Sequence, residues 1–130
     1  MALMLAFGAG TAVVNKNLNI PLIATATSNE TLTSGAFSYK VTEDNTITIT
    51  GFDNSVTDVD IPAEIDGKPV TAIGNKAFFN TGITSVNIPD SIKTIGDRVF
   101  YQCKQLVSVS IPYGVESIGA SAFYECGNLT

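Results

Sequence analysis

The chain has 130 residues, 45% of them hydrophobic, with seven Phe and four Tyr. That is enough apolar material for one domain with a packed core, and it excludes a chain disordered throughout. Twelve acidic residues against seven Lys and Arg give a formal charge of -5, and the cations are scattered from Lys16 to Lys104, which excludes a reader of phosphate backbones. Histidine is absent, so the usual general base, the usual triad member and the commonest transition-metal ligand are all missing, and most hydrolase mechanisms go with them.

Residues 1–34 read as an export-leader-like segment and a linker. Met1 to Val14 is apolar and rich in Ala and Gly, Asn15 to Asn19 is polar, and Ala24-x-Ala26 is a small-x-small site of the kind on which a leader ends. A basic n-region is missing, so Met1 is either internal to a longer leader or the start of an unrelated apolar tail; the leader is the preferred reading and implies a secreted or cell-surface protein. The run falls short of the roughly 18 apolar residues of a membrane span, so none is expected. Ser28 to Gly35 has no apolar period and is expected to be mobile.

Residues 35–55 predict an N-terminal β-hairpin cap. Phe37-Ser38-Tyr39-Lys40-Val41 alternates, Thr42 to Asn45 makes a turn, and Thr46 to Phe52 alternates again. Such a hairpin would cover the first exposed core edge of residues 56–130.

From residue 56 to 130 the chain repeats itself. Ile83-Thr84-Ser85-Val86-Asn87-Ile88-Pro89 returns as Leu106-Val107-Ser108-Val109-Ser110-Ile111-Pro112, and Leu129 opens another copy, so the period is 23 residues (83 to 106 and 106 to 129). Ile92 pairs with Val115, Ile95-Gly96 with Ile118-Gly119, Val99-Phe100-Tyr101 with Ala122-Phe123-Tyr124, and Cys103 with Cys126. An irregular earlier copy runs from Val56 through Val59-x-Ile61-Pro62 and, after the insertion Glu64 to Pro69, resumes at Val70 and continues to Phe79. A period of roughly 20 to 29 residues with aliphatics spaced L-x-x-L-x-L signals a leucine-rich solenoid. The expected fold is mainly β with short helical turns: a right-handed leucine-rich-repeat solenoid with a parallel sheet.

Within each copy the expectations are specific. Strands at 58–61, 85–88 and 108–111 should pair in parallel, with Val86, Ile88, Val109 and Ile111 inward and Pro89 or Pro112 ending the strand. Asp66-Gly67 predicts a small hairpin or loop inside the insertion. A second short strand passes Ile92 and Ile95, Gly96 permits a tight corner, and a single helical turn covers Asp97 to Gln102. Phe78, Phe100 and Phe123 form an aromatic spine in the core.

Few residues are candidates for chemistry. Cys103 and Cys126 occupy one column whose earlier member is Thr81, which favours small, weakly polar, buried side chains and free thiols; a bridge is the alternative, and two Cys without His do not complete a tetrahedral metal shell. Asp58 and Asp60 flank Val59 on the outer face, but their counterparts carry no charge, so no carboxylate ladder continues for calcium. Paired acids for sugar hydrolysis would need a cleft, and a solenoid coil encloses none. No catalytic residue and no cofactor is assigned. Phe79, Tyr101 and Tyr124 make a second aromatic column, either a binding stripe or, as preferred, ring edges packed between coils. Asn29-Glu30-Thr31 and Asn128-Leu129-Thr130 match the glycosylation sequon, as chance allows in a chain rich in these residues.

The string from Ile111-Pro112 through Val115, Ile118-Gly119, Ala122-Phe123, Cys126 and Leu129 resembles the treponemal or BspA-like class of leucine-rich repeats. The resemblance covers Val56 to Thr130, and the hairpin is similar to the lead-in such proteins carry. Common leucine-rich repeats have Asn or Cys at the ninth position, where this chain has Glu64, Ser91 or Gly114, so their Asn ladder is missing here. The resemblance implies an exported, non-enzymatic cell-surface protein used in adhesion, with host matrix or surface proteins as partners. It also implies an array longer than this chain, which predicts weak self-association through the open C-terminal end. The expected partner-binding residues lie on the outer face of the main sheet: Asp58, Asp60, Ser85, Asn87, Ser108 and Ser110, with Tyr113 at its rim. The competing reading is a structural cap and spacer whose binding surface lies in further repeats.

Overall fold

The computed structural model describes residues 30–130, and the leader-like segment lies outside the described residues. Ten strands run in chain order: β1 (Leu32–Ser34), β2 (Phe37–Val41), β3 (Ile47–Phe52), β4 (Asp58–Asp60), β5 (Glu64–Ile65), β6 (Lys68–Ile73), β7 (Ser85–Asn87), β8 (Thr94–Ile95), β9 (Ser108–Ser110) and β10 (Ser117–Ile118). They build two sheets. One contains β4, β7 and β9, all parallel, with Val59, Val86 and Val109 side by side. The other runs β1-β2-β3-β6-β8-β10, with β5 attached to β6. The chain therefore winds as a β-solenoid, and each coil contributes one strand to each sheet before closing through a third wall of turns.

The 23-residue period works because it returns the same inward side chain to the same place. Val59 lies beside Val86, Ile73 beside Ile95, and Ile95 beside Ile118, so each coil covers the apolar face of its neighbour. Phe78 and Phe100 are wholly buried and stacked at 5.4 Å, and Phe100 stacks on half-buried Phe123 at 5.2 Å. Each strand of the first sheet ends one residue earlier than expected, at 60, 87 and 110. In the last coil Ile111 is 39% and Ile118 46% exposed, whereas their counterparts Ile88 and Ile95 one coil earlier are buried.

The N-terminal unit differs from the expectation in one way. The segment expected as a mobile linker contributes β1, which pairs antiparallel with β2 through the left-handed turn residue Gly35 (φ 58°), so the hairpin is a three-stranded meander. Leu32 supplies the apolar side chain that packs this strand on the core. The cap covers the first core edge, as expected, and does so by extending the second sheet: β3 runs parallel to β6 with Ile49 beside Ile73, because buried Ile47 and Ile49 continue the apolar column of Val70 and Ile73. Phe52 and Phe37 then close the spine against Phe78 at 5.1 and 6.4 Å. In the insertion, β5 and β6 form the small antiparallel hairpin on Asp66-Gly67, both with positive φ.

The expected helical turn is absent: no helix occurs among the described residues, and 97–102 is a succession of turns. Lys76 and Asn80, Arg98 and Gln102, and Ser121 and Glu125 all have φ between 56 and 62°, two left-handed residues per coil that stop a right-handed helix from propagating. The backbone bonds to the next coil instead. The N–H groups of Lys76, Phe78 and Asn80 donate to the carbonyls of Asp97, Val99 and Tyr101 at 2.8–3.0 Å, and those of Arg98, Phe100 and Gln102 donate to Ala120, Ala122 and Tyr124 at 2.8–3.0 Å. Buried main-chain groups must be paired, and a third ladder between coils pairs them as well as a helix would.

Candidate interaction surfaces

The predicted face lies on the β4-β7-β9 sheet. Alternation along the strands turns Val59, Val86 and Val109 toward the core, which leaves two outward rows: Asp58, Ser85 and Ser108, then Asp60, Asn87 and Ser110. The structure thus brings six of the seven predicted residues together. The two acids are already engaged by the neighbouring strand: Ser85 Oγ donates to Asp58 Oδ1, and Asn87 Nδ2 donates to Asp60 Oδ1 at 3.0 Å. Ser108 and Ser110 are exposed. Tyr113 is fully exposed in the turn that leaves β9.

The turn wall presents different chemistry. Phe79, Tyr101 and Tyr124 stack face to face, with centroids 5.4 and 5.0 Å apart and planes within 18°. The rings do pack between coils, but the expectation that their edges do so is wrong: the faces stack and the edges stay open, with Phe79 40% and Tyr124 54% exposed. Lys76 Nζ lies 5.8 Å from the Phe79 ring centre and Arg98 Cζ lies 6.0 Å from that of Tyr101, within range of a cation–π attraction. Sequence reading did not single out these cations. Their shared offset before Ala-Phe-Phe and Val-Phe-Tyr was the available signal.

A side-chain ladder, missed at the sequence level, fixes the corner before this wall. Asn75 Oδ1 accepts the Asp97 N–H, and Asp97 Oδ1 accepts the Ala120 N–H, both at 2.8 Å. The amide and carboxylate lie where a Cβ on Gly96 or Gly119 would be, and that Cβ would also come within 2.9 Å of the Asn75 nitrogen or 2.6 Å of the Asp97 nitrogen. These glycines are needed for close approach and not for a positive φ, which neither adopts. The ladder was legible as Gly followed by Asn or Asp one period apart. At the ninth position, Ser91 Oγ is buried with no hydrogen-bond partner among the described residues, so no ladder runs there.

The cysteines are free. Cys103 Sγ donates to the Phe78 carbonyl and Cys126 Sγ to that of Phe100, each at 3.0 Å and one coil back. Thr81 Oγ1 donates to the same Phe78 carbonyl at 2.9 Å, which explains why threonine fits the column. Cys103 is buried, whereas Cys126 is only half-buried, in the last coil. Burial first, and the neighbouring Cys103 second, push the Cys126 thiol above its ordinary range, so it stays protonated at neutral pH. Among the described residues no group of three or more His, Cys, Asp or Glu could hold a metal ion.

Comparison with known proteins agrees with this geometry. A family model described as the BspA type leucine rich repeat region matches residues 71–130. A crystal structure of a leucine-rich repeat protein from Bacteroides capillosus is 30% identical, with a TM-score of 0.58 over 68% of this chain and 86% of that one. The chain belongs to the BspA-type leucine-rich repeat family. Two longer leucine-rich neighbours superpose more closely. A leucine rich cell surface protein from Faecalibacterium prausnitzii is 34% identical with a TM-score of 0.71, and the Treponema pallidum leucine rich repeat protein is 31% identical with a TM-score of 0.72. The alignments cover 79% and 77% of this chain but only 30% and 48% of those proteins. No curated protein matches. Among the described residues no helix is long and apolar enough to cross a membrane.

Proposed function

We propose that this chain is a non-enzymatic module for protein–protein interaction or adhesion, working outside the cell or at its surface. The observation that carries this reading is the register of the coils. Among the described residues the buried side chains are aliphatic, aromatic or a thiol, and the repeat period lines up the outward positions of successive coils into continuous rows, a surface suited to an extended partner rather than a small molecule. The family supports a protein-binding role, and the Faecalibacterium neighbour's description as a cell surface protein supports the location. Host matrix or surface proteins are the partners to try first, with Asp58, Asp60, Ser85, Asn87, Ser108, Ser110 and Tyr113 as the surface that the sequence indicates.

The test is saturable binding of the immobilised chain to a panel of matrix proteins. Binding of none of them at high micromolar concentration would sink the reading. One observation favours the alternative of a structural spacer for the sheet face in particular: Asp58 and Asp60 are satisfied by Ser85 and Asn87, and small self-paired side chains make poor hot spots. If that is their role, Asp60→Ala with Asn87→Ala lowers the melting temperature without changing the affinity for any partner found.

A further inference from the structure

The turn wall carries the groups that dominate protein interfaces, and the sheet face does not. Aromatic rings and Arg are enriched at hot spots, whereas Ser is under-represented. We propose that Phe79, Tyr101 and Tyr124, together with Lys76 and Arg98, form a docking strip for an extended acidic segment of a protein partner. This rests on the interaction reading above and assigns it a surface and a partner chemistry.

Charge decides the partner. The chain as a whole is at -5, and this wall has two exposed carboxylates, each with one oxygen engaged by its own chain while Lys76 and Arg98 sit at the rings: Asp97 Oδ1 accepts the Ala120 N–H, and Glu125 Oε2 accepts from Gln102 Nε2 at 2.9 Å. Lys76 and Arg98 are exposed and lie within about 6 Å of the Phe79 and Tyr101 ring centres, with no carboxylate in ion-pair contact among the described residues. The rings stack on one another, so what faces outward is their edges, the positive rim of the quadrupole, and the hydroxyls of Tyr101 and Tyr124. Cations, ring edges and hydroxyl donors all favour a partner rich in carboxylates and carbonyls. The faces between Phe79 and Tyr101 and between Tyr101 and Tyr124 are closed to a sugar ring, leaving a row of edges rather than a row of platforms, which favours a peptide over an acidic polysaccharide. Three rings rise through roughly 10 Å, the length of about three residues of extended chain at about 3.3 Å each.

The experiment uses the whole 130-residue chain, immobilised, against a soluble random Glu/Tyr copolymer, with a Lys/Tyr copolymer and hyaluronan as the other arms. The Glu/Tyr copolymer should bind, more weakly as salt is raised. Lys76→Asn with Arg98→Asn should weaken that binding by about tenfold, and Tyr124→Ser by a similar factor, while Asp58→Asn with Asp60→Asn leaves it unchanged. Asparagine tolerates the left-handed backbone at 76 and 98, so the double variant should melt with the parent. Equal binding of both copolymers, a preference for hyaluronan, or indifference to the substitutions at 76, 98 and 124 overturns the strip. If the chain binds a matrix protein and that binding survives those substitutions undiminished, the strip is wrong and the general interaction reading stands.

Discussion

The sheet wall and the turn wall of this solenoid have the same period but are held together differently. In the β4-β7-β9 sheet, adjacent coils meet as ordinary parallel strands, and the outward side chains are small and bond sideways to one another. In the turn wall, the backbone alternates through left-handed residues, its N–H groups donate to the next coil, and large rings stack both inside and outside. Any chain of the right alternation can make the first wall. The second depends on particular residues at particular places, which is where substitutions should be felt and where a partner would find anchoring groups.

The largest expected effect is at the shared core. Phe100 is wholly buried between Phe78 and Phe123, so Phe100→Ala should cost about 3–5 kcal/mol in a thermal or denaturant melt. A melt equal to the parent's would mean that the ring stack does not hold the turn wall.

Next comes the close approach at the corner. Gly96→Ala places a methyl against the Asn75 side chain and nitrogen, and should cost about 1–3 kcal/mol. Asn75→Ala in the same chain should recover part of that loss, since it removes one of the two obstructions; strict additivity of the two substitutions in a double-mutant cycle would show that the glycine is not there for the ladder.

The comparison sharpens with a matched pair. Asp97→Ala removes the acceptor of the Ala120 N–H from the turn wall and should cost about 1 kcal/mol. Ser110→Ala, on the sheet wall, should stay within about 0.5 kcal/mol of the parent. Equal losses would erase the difference between the walls.

The smallest effect is a pH dependence. The Cys126 pKa is raised in the folded chain, so the protonated thiol is favoured there over the unfolded state. Its contribution is fully present below the unfolded thiol pKa and is lost as pH rises through the higher folded value. Alkaline melts should therefore fall slightly less steeply for Cys126→Ser than for the parent, and Cys126 should be alkylated more slowly at pH 8 than an unfolded thiol. Alkylation at the unfolded rate would place the thiol outside the column.

Much of the fold was legible because a repeat states its own constraints several times over. Val86 and Val109, Ile95 and Ile118, and Phe100 and Phe123 can be matched from spacing alone, and the parallel sheet results from matching them. The boundary at the N-terminus was not legible: Leu32-Thr33-Ser34 has no alternation of its own and becomes a strand only because β2 offers it an edge. The candidate surface was half legible. The outward rows of the sheet were placed correctly, but the stacking order, exposure and cationic flanks of the second aromatic column could not be weighed from the repeat pattern.

Sequence by itself determined the period, the inward columns and the choice of a small polar side chain at Thr81, Cys103 and Cys126. Each of these is a local rule applied at a fixed interval. Tertiary structure alone decided that the cap extends the second sheet, that the third wall is a ladder and not a helical turn, and that Asn75 and Asp97 reach across the coil boundary. Those outcomes depend on which backbone groups of one coil face the next: when a neighbouring coil offers its carbonyls at hydrogen-bonding distance, the chain satisfies its N–H groups there, and local helix preference gives way.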